Sequence, residues 1–336
     1  MQVTNKLKGE EYIFPEPTKL MDGLYLLKMP LPFRLDHINV YLLEDDDGWN
    51  IIDCGLDVPE TIDVWKYVFS SFFKEKKVKS VYVTHLHPDH IGVAYWLSKN
   101  ANAQIFITRG EWELANKLMS FAAEEKDVLL KHYSRFGLND MELEKLVTKG
   151  PVYRRLVHSL PKNVEYIGED DSINMAGRKW EVKIGRGHSP EHACFWCESE
   201  KLLISGDHIL PRITPNISLM ALGLINPLND YLTTLDEFKK LSAVHLFPSH
   251  GLPIEGVNNR IRELIEHHEE NLDKLVDYCG KSRTVEDCTK FLFGKELPSH
   301  QYGFAIGETA AHLVYLQYIG RVSLLNEDVW EFISCQ

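Results

Sequence analysis

The sequence predicts an α/β protein with a catalytic core and a smaller C-terminal domain. Short apolar runs rich in Val, Ile and Leu alternate with segments in which apolar residues recur at helical spacing. Histidine and aspartate residues follow several of these runs, at the strand ends where α/β folds collect their chemistry. The 336 residues exceed what this core alone needs, so an appended piece is expected.

The first part of the chain predicts a series of strands and helices in alternation. Three apolar segments predict successive strands at Gly23–Lys28, Ile38–Leu43 and Trp49–Asp53. The acidic segment Glu44–Gly48 predicts the hairpin turn between the last two. The elements predicted next are a helix, a strand, a helix and a strand, at Thr61–Phe73, Val78–Thr84, His90–Asn100 and Ala103–Thr108.

Beyond Gly110 the pattern changes to longer helical segments. The predicted helices are Glu111–Lys117, Glu124–Phe136 and Asp140–Val147. Because they separate two predicted strands, we interpret residues from about 110 to 160 as a helical insertion. Such an insertion could cover the active site and shape a substrate pocket.

The second part of the chain returns to strands and then leaves the core. Apolar runs at Trp180–Ile184, Leu202–Gly206 and His245–Pro248 predict strands, and after Pro253 the chain leaves the core and predicts mainly helices. The predicted C-terminal helices are Val257–Cys279, Thr284–Phe293 and Gly307–Ile319. We therefore assign residues 1–256 to a catalytic domain and 257–336 to a C-terminal domain.

The run Thr84–Gly92 places four potential metal ligands within six residues, directly after the predicted strand Val78–Thr84. His85 and His87 are two residues apart, as on a strand end, so both imidazoles can leave the backbone on one side. Pro88 then turns the chain, and Asp89 and His90 open the next helix. Three imidazoles and a carboxylate favour zinc, with iron or manganese as alternatives.

Three further strand ends carry residues of the same kind. His188 lies on a glycine-flanked loop after Trp180–Ile184, and Asp207 ends the apolar run Leu202–Gly206. His250 follows the last apolar run, directly before Gly251. One histidine at such a place is more often a satisfied loop residue than a ligand. Four strand ends of this kind in one chain favour a shared metal site.

The ordered motifs HxHxDH, GHSPEH, SGDH and PSHG resemble those of the metallo-β-lactamase superfamily, over about Leu24–Glu255. The resemblance implies an αββα sandwich, with two mixed sheets face to face and two divalent metal ions at one edge. It implies two ligand groups and a bridging residue: His85, His87 and His188 for the first metal, Asp89, His90 and His250 for the second, and Asp207 between them. Asp89 and Asp207 are also the expected catalytic carboxylates.

The motif that contains Asp207 is similar to that of the glyoxalase II, lactonase and ribonuclease branches. This resemblance implies hydrolysis of a small-molecule thioester, ester or lactone by a metal-bridging hydroxide. The segments Glu308–Leu316 and Gly320–Val322 resemble a winged-helix tail found on some members. Such a tail raises a second hypothesis, a metal-dependent endoribonuclease or phosphodiesterase acting on single-stranded nucleic acid.

Composition favours a small acyl substrate over nucleic acid as the partner. The formal net charge is −12, whereas nucleic-acid binders usually present a basic patch. The six cysteines are thinly spread, no apolar stretch of 18 residues occurs, and residues 1–10 lack the apolar core of a signal peptide. We therefore expect a cytoplasmic enzyme with free thiols and no membrane span. The composition does not determine whether the chain forms a homodimer, which substrate it acts on or which metal it binds.

Overall fold

A computed structural model describes residues 3–4, 11–12, 15–33, 35–74, 76–120, 126–148, 152–294 and 297–335. A first pair of short strands, β1 (Val3–Thr4) and β2 (Glu11–Tyr12), is antiparallel. Seven strands then form the first large sheet, in the order of the chain. They are β3 (Thr18–Met21), β4 (Leu24–Pro30), β5 (His37–Asp45), β6 (Gly48–Ile52), β7 (Val78–Tyr82), β8 (Gln104–Thr108) and β9 (Glu165–Ile167).

The second large sheet has six strands, also in the order of the chain. They are β10 (Ser172–Met175), β11 (Arg178–Gly185), β12 (His192–Cys197), β13 (Leu202–Gly206), β14 (His245–Pro248) and β15 (Ile254–Glu255). Both sheets are mixed, because β6 to β9 run parallel in the first and β13 and β14 in the second.

The helices lie on the strand connections and in the C-terminal part of the chain. Those before β14 are α1 (Pro59–Ser71), α2 (Pro88–Ile91), α3 (Ala94–Asn100), α4 (Arg109–Ser120), α5 (Lys126–Tyr133), α6 (Asp140–Thr148), α7 (Val152–Leu156) and α8 (Pro227–Lys240). Those after β15 are α9 (Val257–Tyr278), α10 (Val285–Phe293) and α11 (Ser299–Tyr318).

Three apolar clusters define the layers. Tyr41 and Ile52 of the first sheet and Trp180 and Phe195 of the second share one buried cluster, so the two sheets pack face to face. A second cluster joins the outer face of the first sheet to α1, α3 and α4. The third joins the second sheet to α8 and to the C-terminal helices. The order is helix, sheet, sheet, helix, which confirms the αββα sandwich.

The predicted elements recur in the structure, with two differences in the helices. The single helix predicted at His90–Asn100 is two helices, α2 and α3, because the chain turns at Gly92. A Cβ there would lie 2.4 Å from Pro88 O and 2.5 Å from Asp57 N, so this close approach requires glycine. The last helix begins at Ser299, eight residues before the predicted start at Gly307.

Four helices, α4 to α7, occupy the predicted insertion between β8 and β9. Residues 121–125 and 149–151 of the insertion, including the predicted start of the second helix at Glu124, lie outside the described residues. In the C-terminal part, β16 (Arg283–Thr284), β17 (Val322–Asn326) and β18 (Glu331–Ser334) form a small antiparallel sheet. The domain boundary at 256/257 and the winged-helix description stay predictions. No helix in the described part of the chain is long and apolar enough to cross a membrane.

Candidate metal centre

The four strand ends singled out in the sequence meet at one edge of the sandwich. Strand β11 runs antiparallel to β12, and β12 antiparallel to β13, so β11, β13 and the parallel β14 end at the same edge. The end of β7 in the first sheet joins them, because Ala193 N donates to Thr84 O at 2.8 Å. The loops that follow β7, β11, β13 and β14 each carry at least one of the predicted ligands.

The seven predicted residues fall into two groups. Within each group, one nitrogen or oxygen atom from every residue lies within 4.8 Å of the others, and the groups are His85, His87, His188 and Asp207, and Asp89, His90 and His250. Asp207 faces both groups. Its Oδ2 lies 3.6 Å from His188 Nε2 and 3.5 Å from His90 Nε2, and its Oδ1 lies 3.5 Å from His250 Nε2.

Asp53 supports the HxHxDH loop from below. Its buried carboxylate accepts hydrogen bonds from Thr84 N at 2.8 Å and from His90 Nδ1 at 2.8 Å. Because Nδ1 of His90 is occupied in this way, Nε2 is the ring nitrogen that points toward Asp207. Asp53 has a φ of 64°, a strained conformation for an aspartate, which aims its side chain at the loop.

Asn39 and the His37 carbonyl position the last ligand loop. The buried Asn39 Nδ2 donates to Pro248 O at 2.9 Å and to Gly251 O at 2.7 Å, on either side of His250. His250 Nδ1 donates to His37 O at 3.1 Å, which directs Nε2 into the site. Strand β5 of the first sheet therefore fixes a ligand loop of the second.

Glu111 joins two of the ligand loops, a role that the sequence analysis did not predict. Its fully buried carboxylate accepts from Leu86 N at 2.9 Å, between His85 and His87, and from Glu191 N at 2.7 Å. In return, Glu191 Oε2 accepts from Gly110 N at 2.6 Å. Its position could have indicated this role, because Glu111 lies three residues after the end of β8, at the start of the insertion.

His192, which is not among the predicted ligands, supports the backbone of one of them. Its buried ring accepts a hydrogen bond from Asp207 N at Nε2, 3.0 Å away, and stacks 4.6 Å from the ring of His85. The ring fits because Gly206 carries no side chain: a Cβ there would lie 2.3 Å from His192 Cε1. Gly206 also has a φ of 52°, which favours glycine.

The electrostatics prepare the first group to bind a cation. Burial, together with the neighbouring histidines, lowers the pKa of His85 well below its usual range and that of His87 to about 3. Burial lowers the pKa of His188 as well. Neutral imidazoles at neutral pH offer lone pairs, which metal coordination requires. Burial acts to raise the pKa of Asp207, but His250 and His90 lower it overall, so this carboxylate is ionised.

Several atoms of the centre are buried without a hydrogen-bond partner among the described residues. They include His90 Nε2, His188 Nε2 and Asp207 Oδ1. Buried polar atoms are nearly always paired, so unpaired atoms that face one another in a cluster are suited to coordinate a cation. Imidazole nitrogen and carboxylate oxygen are donors that Zn²⁺ accepts. The residues present therefore fit two divalent metal ions.

Comparison with known proteins gives matches along most of the chain. The profile of the Metallo-beta-lactamase superfamily matches residues 34–250, and that of the Metallo-beta-lactamase-like C-terminal domain matches residues 272–335. The "Probable metallo-hydrolase YqjP" of Bacillus subtilis is 25% identical, over 88% of this chain and 92% of its own length. The "Beta-lactamase-like protein 2 homolog" of Caenorhabditis elegans is 25% identical over 71% of this chain, and the match spans 64% of that protein.

Among solved structures, a beta-lactamase domain protein from Burkholderia ambifaria has a TM-score of 0.87 to this chain. The two are 33% identical, and the alignment covers 98% of this chain and 97% of the other. The sandwich, the site at its edge and these matches lead to one conclusion. The chain belongs to the metallo-β-lactamase superfamily of metal-dependent hydrolases.

Proposed function

We propose that this protein is a two-metal hydrolase of a thioester, ester or lactone of a small carboxylic acid. The observation that carries the two-metal part is the position of Asp207, whose two oxygens face one histidine of the first group and two of the second. His85, His87 and His188 would hold the first ion, Asp89, His90 and His250 the second, and Asp207 would bridge both. Zinc suits this nitrogen-rich donor set, and the same donors accept iron or manganese.

Two bound divalent ions would supply a water of lowered pKa and polarise the acyl carbonyl. In the reaction, water adds to the acyl carbon, the bond to sulfur or oxygen breaks, and the departing thiol or alcohol takes a proton. Asp89 and Asp207 would accept hydrogen bonds from the attacking water and orient it. Asp89 Oδ2 lies 3.3 Å from His250 Nε2, so these two candidate ligand atoms of the second group face each other.

Exposed apolar side chains on the segments around the centre support an acyl substrate. Phe33 and Leu35 precede the His37 carbonyl that holds His250, and Leu252 follows His250 by two residues. All three side chains are more than 40% exposed. Exposed apolar side chains on the segments that adjoin a metal centre suit an acyl chain, and a net charge of −12 disfavours a polyanionic strand.

A hydrolysis screen tests the substrate class. The metal-quantified protein is assayed in parallel against lactoylglutathione, an acyl-CoA thioester, an acyl lactone and single-stranded RNA. We expect turnover of a thioester or lactone that a chelator abolishes and added zinc restores. Cleavage of RNA alone would overturn the acyl proposal and favour the endoribonuclease hypothesis.

Substitution of the bridging residue tests the two-metal scheme. Asp207→Ala removes the carboxylate between the two cations, so turnover should decrease by about 10³-fold or more and the bound metal should fall below two ions per chain. Asp236→Ala on helix α8, an exposed aspartate paired with Lys239, is the matched control and should leave both quantities unchanged. An Asp207→Ala protein with full activity would refute the scheme.

A further inference from the structure

A long loop joins the metal centre to the C-terminal helices. It spans residues 207–226, all of them described, and contains neither helix nor strand between β13 and α8. Compact domains rarely carry loops of this length unless the loop has a function. The position of this loop therefore depends on contacts with other elements, and those contacts are found on two sides.

On its inner side the loop orients His188. The ring nitrogen Nδ1 of His188 donates to the backbone carbonyl of Asn216 at 3.0 Å. This hydrogen bond fixes the tautomer with the proton on Nδ1. The unprotonated Nε2, which faces Asp207, then has a lone pair free to coordinate a metal ion. A displaced Asn216 carbonyl would let the ring rotate away from the centre.

On its outer side the loop is held by helix α11. Asn216 Nδ2 donates to Glu308 Oε2 at 3.1 Å, and Leu219 N donates to Gly307 O at 2.9 Å. Ser218 Oγ completes the arrangement by donating to Asn216 Oδ1 at 2.6 Å. The Asn216 side chain therefore has both of its polar ends occupied, which fixes the residue whose carbonyl receives His188.

Glu308 is an unusual residue to find at this position. It is 9% exposed, and burial raises the pKa of its carboxyl group to about 7, against the opposing effect of the hydrogen bond from Asn216. A buried carboxyl group destabilises a fold unless it is hydrogen-bonded. The Glu308 side chain thus points toward the loop and accepts a hydrogen bond from the Asn216 amide.

We propose that Glu308 is a positioning residue of the metal centre, which orients His188 by holding Asn216 in place. The C-terminal domain then contributes directly to metal affinity, although none of the seven candidate ligands lies in it. This inference rests on the proposed function, because His188 needs orientation only if it binds a metal ion. Residues with such a role typically change metal affinity by about 10- to 100-fold when they are replaced.

The test compares two replacements of Glu308 that differ in one property. Glu308→Gln keeps a carbonyl oxygen that can accept from Asn216, whereas Glu308→Met keeps the length of the side chain and loses the acceptor. Zinc affinities are measured by competition with a chromophoric chelator on the full chain. We expect Glu308→Met to bind one of its two zinc ions about 10- to 100-fold more weakly and Glu308→Gln to resemble the unmodified protein.

A control and a swap separate positioning from general stability. Thr309→Val changes the neighbouring residue, whose buried hydroxyl donates to Ala305 O within the helix, and should leave both affinities unchanged. Asn216→Asp alone places its new carboxyl group against that of Glu308 and should weaken the binding of one zinc ion. Asn216→Asp combined with Glu308→Gln reverses this hydrogen bond, because the side chain at 308 then donates to the one at 216, and zinc affinity should recover. This double variant keeps the proposal testable even if Glu308→Met folds poorly.

The outcomes distinguish this inference from the proposed function. An unmodified chain that binds neither zinc nor iron nor manganese would refute the metal centre itself. If the unmodified chain binds two ions and Glu308→Met binds both with equal affinity, only the role of Glu308 is refuted. The role of Glu308 would also be refuted if the double substitution failed to restore the zinc affinity that Asn216→Asp loses.

Discussion

At the scale of single residues, Glu111 shows how one carboxylate can set the spacing of a metal centre. Its two oxygens receive one backbone N–H from the loop of His85 and His87 and one from the loop that follows His188. Backbone groups cannot be replaced by mutation, so the acceptor is the accessible half of each hydrogen bond. The distance between the two loops therefore depends on the length and charge of this side chain.

We predict that Glu111→Ala lowers the free energy of unfolding by about 2–4 kcal/mol, because two buried N–H groups lose their acceptor. Turnover should fall with it, since the loops that carry His87 and His188 are no longer tied together. The free energy is measured by equilibrium denaturation in urea. Glu113→Ala, an exposed position on the same helix, should change it by no more than about 0.5 kcal/mol. Equal stability of the two variants would contradict this role.

At the scale of elements, helix α11 carries two glycines whose surroundings differ. A Cβ on Gly307 would lie 2.9 Å from Ser218 Oγ and 3.0 Å from Ser218 Cβ, so the helix and the loop meet at this residue. A Cβ on Gly303 would have Leu146 Cδ2 as its neighbour at 3.5 Å, an ordinary contact. The close approach of the loop therefore depends on Gly307 alone of the two.

We predict that the same substitution at these two glycines has opposite effects. Gly307→Ala should lower the free energy of unfolding by about 1–2 kcal/mol, because the loop must shift. Gly303→Ala should raise it by about 0.5–1 kcal/mol, because alanine is the better helix former and has room. Thermal and urea unfolding of both variants measure the difference. A stabilising Gly307→Ala would mean that the loop does not pack against the helix as described.

The same helix illustrates how far the sequence alone could be interpreted. The longer buried strands and the seven candidate ligands were accessible because apolar runs and strand-end residues are local patterns. The early start of α11 was missed because Gly303 and Gly307 suggest a break to local reasoning. Asn216 and Glu308 lie 92 residues apart, and no periodicity relates such a pair. Contacts of this kind arise only when the elements pack.

At the scale of the whole molecule, the catalytic and C-terminal parts share a hydrophobic core. The buried cluster beside the second sheet contains Trp196 of β12 and Leu203 of β13 together with Ala310 and Leu313 of α11. Removing either part would expose the apolar side chains of the other to water. We therefore expect the chain to unfold as one cooperative unit, with the metal centre coupled to all of it.

We predict that removing the metal ions lowers the melting temperature of the entire chain by several degrees in a single transition. A ligand that binds only the folded state, at a free concentration a thousand times its Kd, contributes about 4 kcal/mol to stability. Differential scanning calorimetry with and without chelator measures this shift, and restored zinc should reverse it. Two separated transitions, of which only one responds to chelator, would contradict the shared core.

The bonds from Asn39 to the last ligand loop have a further consequence for biogenesis. They connect residues 209 and 212 positions apart, so the loop must close across most of the chain before His250 is in place. Contacts of such long range form slowly and late in folding. A nascent chain on the ribosome that has not yet extended to residue 250 carries at most six of the seven candidate ligands. The protein is therefore expected to select its metals after synthesis, as a finished fold.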